Sequence, residues 1–218
     1  MSTFKSFLYF TLFYGISCQP SKDFTWNEGD ILFQDGECGD FCEAIRKVTH
    51  GYQGTQFSHN GLIININENW MVLEAVTSGV KTTPLEVFLD RHLDENGNPK
   101  VHVGRLKTPY LKLIPEAISH AQKLIGKPYD HGFDLFNDAY YCSELIHLSF
   151  EKANLGNPVF EIHPMTFIDP DTGETFPIWI KYFEKLGIPV PEGEPGLNPA
   201  GMTRDPVIEM VFDFTKKN

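Results

Sequence analysis

The sequence predicts an α+β domain, and three observations support this. Residues 59–76 carry two adjacent strand patterns that suit an antiparallel hairpin. Two long helical patterns, Pro115 to Ile125 and Cys142 to Ala153, lie outside the strand region. The chain has 218 residues with 41% hydrophobic content, a length and composition that normally make one domain. The formal charge is −11 with no basic stripe, which argues against a nucleic-acid partner. No apolar run reaches the roughly 20 residues of a membrane-spanning helix.

The first residues form a separate object. Lys5 precedes the apolar run Phe7 to Ile16, and Ser17-Cys18 leads into the polar segment Gln19 to Asp23. This positive, apolar, small-residue pattern reads as a secretory signal. A cysteine at the cut site suggests a bacterial lipoprotein, with residues 1–18 as signal peptide and lipobox, Cys18 lipidated as the mature first residue and the residues before it excluded from the fold. Gly15 stands where such a signal usually carries Leu, and the alternative is an ordinary signal with a chance cysteine. On this reading the protein is exported from a bacterial cell to the periplasm or cell envelope. It meets the membrane through a lipid anchor only, and the single domain occupies residues 24–218.

The elements follow in order. Glu28-Gly29-Asp30 is a turn leading into the strand Ile31-Leu32-Phe33. Gly39 to Val48 reads as a helix with Phe41, Ile45 and Val48 on one face. Thr49 to Thr55, with Gly51 and Gly54, is a loop. His59 opens a strand through Leu62-Ile63-Ile64, Asn65 to Asn69 is turn-rich, and Trp70 to Val76 returns as the second strand. Pro84 to Leu89 looks helical, with Pro at its first turn. Lys100 to Leu106 alternates as a strand, and the Pro115 helix stops at Gly126. From about residue 157 prolines become dense, and this C-terminal extension is expected to wrap over the domain. Ile178 to Leu186 is its one short helix, and Val207 to Phe214 is a final strand or packed tail.

Cys38 and Cys42 sit four apart in the expected first helix, where they share a face. A disulfide would strain a regular helix, and no second Cys or His pair completes a metal set. They are therefore read as buried small apolar residues. Neither a metal nor another cofactor is expected.

Cys142 is different because it begins a helix. Unpaired N–H groups and the helix dipole favour a thiolate there, and the Cys142 N–H can hold an oxyanion. The plain alternative is a buried structural cysteine. Glu144, two residues on, would raise the thiol's pKa unless it points away. Among the 8 histidines, His59 at a strand end beside Ser58 and Gly61 can project into a cleft. His147 lies on the nucleophile's own helix, pointing elsewhere, and His131 in a loop competes with His59. A hairpin centred near Ile66-Asn67 places Glu74 opposite His59 on one face. A carboxylate in that apolar strand needs a partner. His59 is one, and a salt bridge to some Lys or Arg is the other. Tyr129, upstream of Cys142 in a loop, can reach an oxyanion or can simply pack, and Asp130 can brace that loop.

These pieces resemble a known family. Gly126-Lys127-Pro128-Tyr129, a spacer, and Tyr141-Cys142-Ser143-Glu144-Leu145 match the Cys-bearing motif of the NlpC-type papain-like cysteine hydrolases. Ser58-His59-Asn60-Gly61 comes before that motif rather than after it, which resembles the circularly permuted, YiiX/YebB-like branch. Gly29-Asp30-Ile31-Leu32-Phe33 is similar to that branch's opening segment. More distant permuted relatives include lecithin:retinol acyltransferase-like enzymes. The resemblance covers about Gly29 to Ala153.

The resemblance implies a permuted papain-like fold, a small antiparallel sheet packed against the helix that carries the cysteine. It implies Cys142 as nucleophile, His59 as base, Glu74 as the third polar residue and Tyr129 as an assisting group. Glu144 departs from the small residue of the non-permuted motif but looks usual for this branch. The expected function is a cysteine hydrolase cleaving an amide in cell-wall peptides, with a peptide or peptidoglycan fragment as partner. A lipid-directed acyl hydrolase or acyltransferase acting on an acyl lipid is the alternative, and a silent binding module the second. An apolar channel at Cys142 would favour lipid, and a narrow polar cleft peptide.

Overall fold

The computed structural model describes residues 24–216. The expected leader and Cys18 lie outside the described residues. A six-stranded antiparallel sheet organises the domain, in the order β4-β3-β2-β1-β5-β8. Its strands are β1 (Ile31–Gln34), β2 (His59–Ile66), β3 (Asn69–Val76), β4 (Gly79–Pro84), β5 (Val101–Leu106) and β8 (Ile208–Asp213). A separate two-stranded ribbon pairs β6 (His163–Pro164) with β7 (Pro195–Gly196). The helices are α1 (Asp40–Val48), α2 (Leu85–Leu89), α3 (Ile114–Lys123), α4 (Cys142–Ala153), α5 (Pro177–Leu186) and α6 (Pro199–Met202).

Strand periodicity sorts side chains onto two covered faces. Ile31, Phe33, Leu62, Ile64 and Leu73 join the core under α3 and α4, whereas Leu32, Ile63, Val72 and Val103 join a second core against α2. Both faces are buried, so β1 reads as a continuous apolar run. α4 packs on α3 and across β2 and β3. The final strand pattern is realised as β8, which adds to the edge of β5. The tail therefore closes the sheet as well as covering it.

Two expectations are corrected. Cys38 and Cys42 form a disulfide, with Cα atoms 5.1 Å apart. The helix starts at Asp40, after Gly39 at φ 63°, so Cys38 belongs to the preceding loop and no regular helix has to bend. The hairpin register also differs. The pair Ile66–Asn69 closes a turn at Asn67 and Glu68, both at positive φ, and Leu62 faces Leu73. Continuing that register puts Gly61, not His59, opposite Glu74. A displacement of two residues preserves the face, so His59 and Glu74 meet on the diagonal.

Candidate active site

Local structure at the start of α4 exposes the sulfur to several donors. Tyr141 is extended, with ψ 171°, and its N–H donates to Glu144 Oε2 at 3.0 Å. The Glu144 carboxyl thus folds back onto the helix start. The Tyr141 hydroxyl accepts from the Leu197 N–H at 3.1 Å, tying the same turn to the C-terminal extension. Asn60, buried on β2, donates its side-chain N–H to Ser143 Oγ at 3.0 Å. The Asn60 backbone N–H and the Ser143 hydroxyl both stabilise the Cys142 sulfur.

His59 is the first residue of β2, so its ring sits at the sheet's end, where α4 begins. Its Nε2 lies 2.6 Å from Glu74 Oε2, which leaves Nδ1 for the Cys142 sulfur. Gly61 makes this meeting possible: a Cβ there would lie 2.4 Å from Val72 Cγ1 and 3.4 Å from Glu74 Cβ. Burial pushes the Cys142 thiol up, but the hydrogen bond and charge of His59 outweigh it and hold the thiol below its ordinary value. Burial likewise pulls His59 down, but its bonds to Cys142 and Glu74 prevail and raise it to about 9. Each partner thus favours the charged form of the other, the thiolate beside the imidazolium.

Glu74 is fully buried and fully engaged. Besides His59, it accepts from Thr83 Oγ1 at 2.6 Å and from both Arg91 terminal nitrogens, at 2.6 and 2.9 Å. Burial would raise this carboxyl, yet the bonds from His59 and Arg91 hold it well below the usual carboxylate range. Both partners weighed from the sequence, a histidine and a salt-bridging cation, are therefore present together. Arg91, in the turn after α2, was not singled out by sequence reasoning. The only signal for it was that a lone inward carboxylate requires positive charge. Asn60 and Ser143, neighbours of the two motif residues, were likewise not assigned a part.

The remaining candidates separate. Tyr129 lines the cleft beside Cys142, and burial raises its phenol well above the ordinary value, so it stays a donor. The His131 ring packs edge-on to Tyr129, and its Nδ1 meets the Tyr182 hydroxyl at 3.1 Å. His147 is buried on α4 within 3.1 Å of Glu151. Asp130 braces its loop by accepting from the Gly132 and Asp134 N–H groups at 2.8 and 2.6 Å. Burial raises Glu144 to about 8, so it is mostly neutral at pH 7 and adds little repulsion to the thiolate.

A cleft of about 400 Å³ opens at Cys142 and His59. Apolar groups supply much of its lining: Phe41 and Ile45 from α1, Phe133, Phe167, and Trp179 from α5. Phe41 and Trp179 pack with ring centroids 4.5 Å apart. The Cys38–Cys42 disulfide borders the same cleft. Much of this wall comes from the proline-rich extension, whose part in the site the sequence left undecided.

A thiol paired with an imidazole at a helix N-terminus, beside an antiparallel sheet, defines a papain-like cysteine hydrolase. Here the histidine precedes the cysteine in the chain, which is the permuted order. The chain belongs to the family described as "Permuted papain-like amidase enzyme, YaeF/YiiX, C92 family", whose model matches residues 25–212. It is 29% identical over 192 residues to the uncharacterized protein YiiX of Escherichia coli strain K12, covering 86% of this chain and 88% of YiiX. A crystal structure described as metalloprotein yiiX from Escherichia coli O157:H7 is similar at a TM-score of 0.69 and 27% identity, covering 85% of this chain and 96% of that one. The fold and the amidase, cysteine-hydrolase kind of activity follow from family membership. The word metalloprotein belongs to that relative. Among the described residues here, no group of three or more His, Cys, Asp or Glu side chains is arranged to hold a metal ion.

Proposed function

We propose that this protein hydrolyses an amide bond through Cys142, His59 and Glu74, on a substrate whose acyl side is apolar. The supporting observation is the His59 ring, held at Nε2 by Glu74 at 2.6 Å and sharing the cleft with the Cys142 sulfur, with which it interacts. The thiolate attacks the carbonyl, and the oxyanion is held by the Cys142 N–H with help from the Tyr129 hydroxyl. The His59 imidazolium then gives its proton to the leaving amine. Its neutral form activates the water that releases the acyl group from sulfur.

The aromatic and aliphatic wall of the cleft favours an acyl chain or apolar residue over a polar cell-wall peptide. Peptidoglycan fragments remain the reading suggested by an exported lipoprotein, with Cys18 as the anchor. The test compares wild type with Cys142→Ala on muropeptides and on N-acyl amides of increasing chain length. The expected result is a loss on the order of a thousandfold or more in kcat/KM for the variant, with wild-type activity rising with chain length. Equal turnover by the two proteins overturns the mechanism, and a preference for muropeptides overturns the apolar acyl assignment.

A further inference from the structure

Glu74 does not stand alone behind His59. The Arg91 guanidinium grips both oxygens of the carboxylate, at 2.6 and 2.9 Å, while its Cζ lies 5.0 Å from the centroid of the Phe88 ring. A bidentate fork fixes the plane of a carboxylate as a single hydrogen bond cannot. Phe88, fully buried, also stands 5.9 Å from the His59 ring, so one aromatic backs both the imidazole and the guanidinium. Thr83 on β4 completes the carboxylate's set at 2.6 Å. From the sulfur outwards the row reads Cys142, His59, Glu74, Arg91, with charges alternating in sign and cancelling overall. We propose that Arg91 is a positioning residue of this amidase, which keeps Glu74 ionised and aimed at His59 and so sets the pH range in which the Cys142–His59 pair is charged. This rests on the assignment of Cys142 as nucleophile given above.

The physical reason is the cost of a buried carboxylate. Glu74 has no access to solvent, and an isolated charge there would take up a proton rather than remain ionised. Imidazolium alone is a conditional partner, because His59 loses its charge when it gives a proton to the leaving group. Arg91 keeps its charge throughout, so Glu74 stays anionic at each stage and the imidazole keeps one orientation. Half-exposed at the cleft, Arg91 can hold this position without the full desolvation cost of a buried cation.

Other ionisable groups surround the row. His92 follows Arg91 at the cleft, with Glu37 and Lys100 acting on it. Lys81 lies directly across from Glu74 on β4 but is exposed, and the carboxylate's ion pairs go to His59 and Arg91. Tyr129 and Glu144 face the sulfur end. None of them substitutes for the two-pronged contact of Arg91.

The test reads Cys142 directly by iodoacetamide alkylation across pH, located by mass spectrometry, in wild type, Arg91→Gln and Arg91→Lys. Loss of the positive charge makes the thiolate harder to form, so the midpoint for Arg91→Gln moves up by about one pH unit. Arg91→Lys keeps the charge, and its midpoint stays near that of wild type while kcat falls through the lost fork. If Arg91→Gln does not fold, Arg91→Ala measured with and without millimolar guanidinium replaces it, and the added cation restores the wild-type midpoint. Unmoved midpoints in the neutral variants, with only a lower Tm, would make Arg91 merely structural and overturn the proposal. A wild-type Cys142 that titrates as an ordinary thiol, near about 8.5, overturns the nucleophile assignment instead.

Discussion

Glu74→Gln removes one negative charge from behind His59 while keeping the side chain's shape, so it isolates the electrostatic part of this contact. The ring nitrogen and the carboxylate oxygen are 2.6 Å apart, and the centres of charge lie about 4 Å apart. At an effective dielectric constant of about 20, that separation corresponds to about 4 kcal/mol, or about 3 pH units. The Cys142 thiolate still supports the imidazolium in the variant, whereas Arg91, released from its partner, now repels it. The expected fall is therefore about 2 pH units or more from the value of about 9 in the intact site. The sign follows directly. His59 is raised by its partners, so its charged form persists up to that value. Without Glu74 it is lost as the pH rises through neutrality. The alkaline limb of kcat/KM on an N-acyl anilide should move down accordingly, in a protein whose circular dichroism matches wild type. A folded Glu74→Gln enzyme with an unmoved alkaline limb would refute the reasoning, because no buried carboxylate can be removed from an imidazolium without that consequence.

Two further outcomes concern stability. Cys38→Ser with Cys42→Ser opens a short covalent loop bordering the cleft and should lower stability by about 2 kcal/mol, measured by urea unfolding, with no loss of the Cys142 alkylation profile. Glu144 is raised by burial to about 8 from 4.5, so it favours the folded state at low pH, and this contribution fades as the pH climbs through that interval. Glu144→Gln keeps an acceptor for the Tyr141 N–H and abolishes the titration. Its stability relative to wild type should rise between pH 5 and pH 8 by about 2–3 kcal/mol, and parallel pH profiles for the two proteins would contradict this.

The hairpin shows how much local sequence fixes. Two apolar runs on either side of the turn-rich Asn65 to Asn69 located β2 and β3, and the runs are near-continuous because both faces here are buried. The same hairpin pattern also put His59 and Glu74 on one face, even though the turn lies one residue later than expected. An error in the turn that moves the pairing by two residues leaves the face unchanged. Cys142 was legible for a similar reason: a Tyr-Cys-Ser start and an apolar helical period mark where α4 begins, and a helix start is a local property. The disulfide was misread because a shift in the predicted helix boundary decides whether Cys38 is helical. Boundary positions depend on Gly39's backbone conformation more than on pattern.

Sequence alone therefore determined the strands β1, β2, β3 and β5, the long helices, the residue types at the sulfur and the order of histidine before cysteine, but not β4, which went unread. Those properties rest on interactions between near neighbours in the chain. Tertiary structure decided what lies far apart in sequence yet touches in space. It brought Arg91 to Glu74, Asn60 to Ser143, and the Phe167 and Trp179 wall to the cleft. It also decided the direction in which the site titrates, because the nearness of their partners, acting against burial, holds the Cys142 thiol below its ordinary value and raises His59 to about 9.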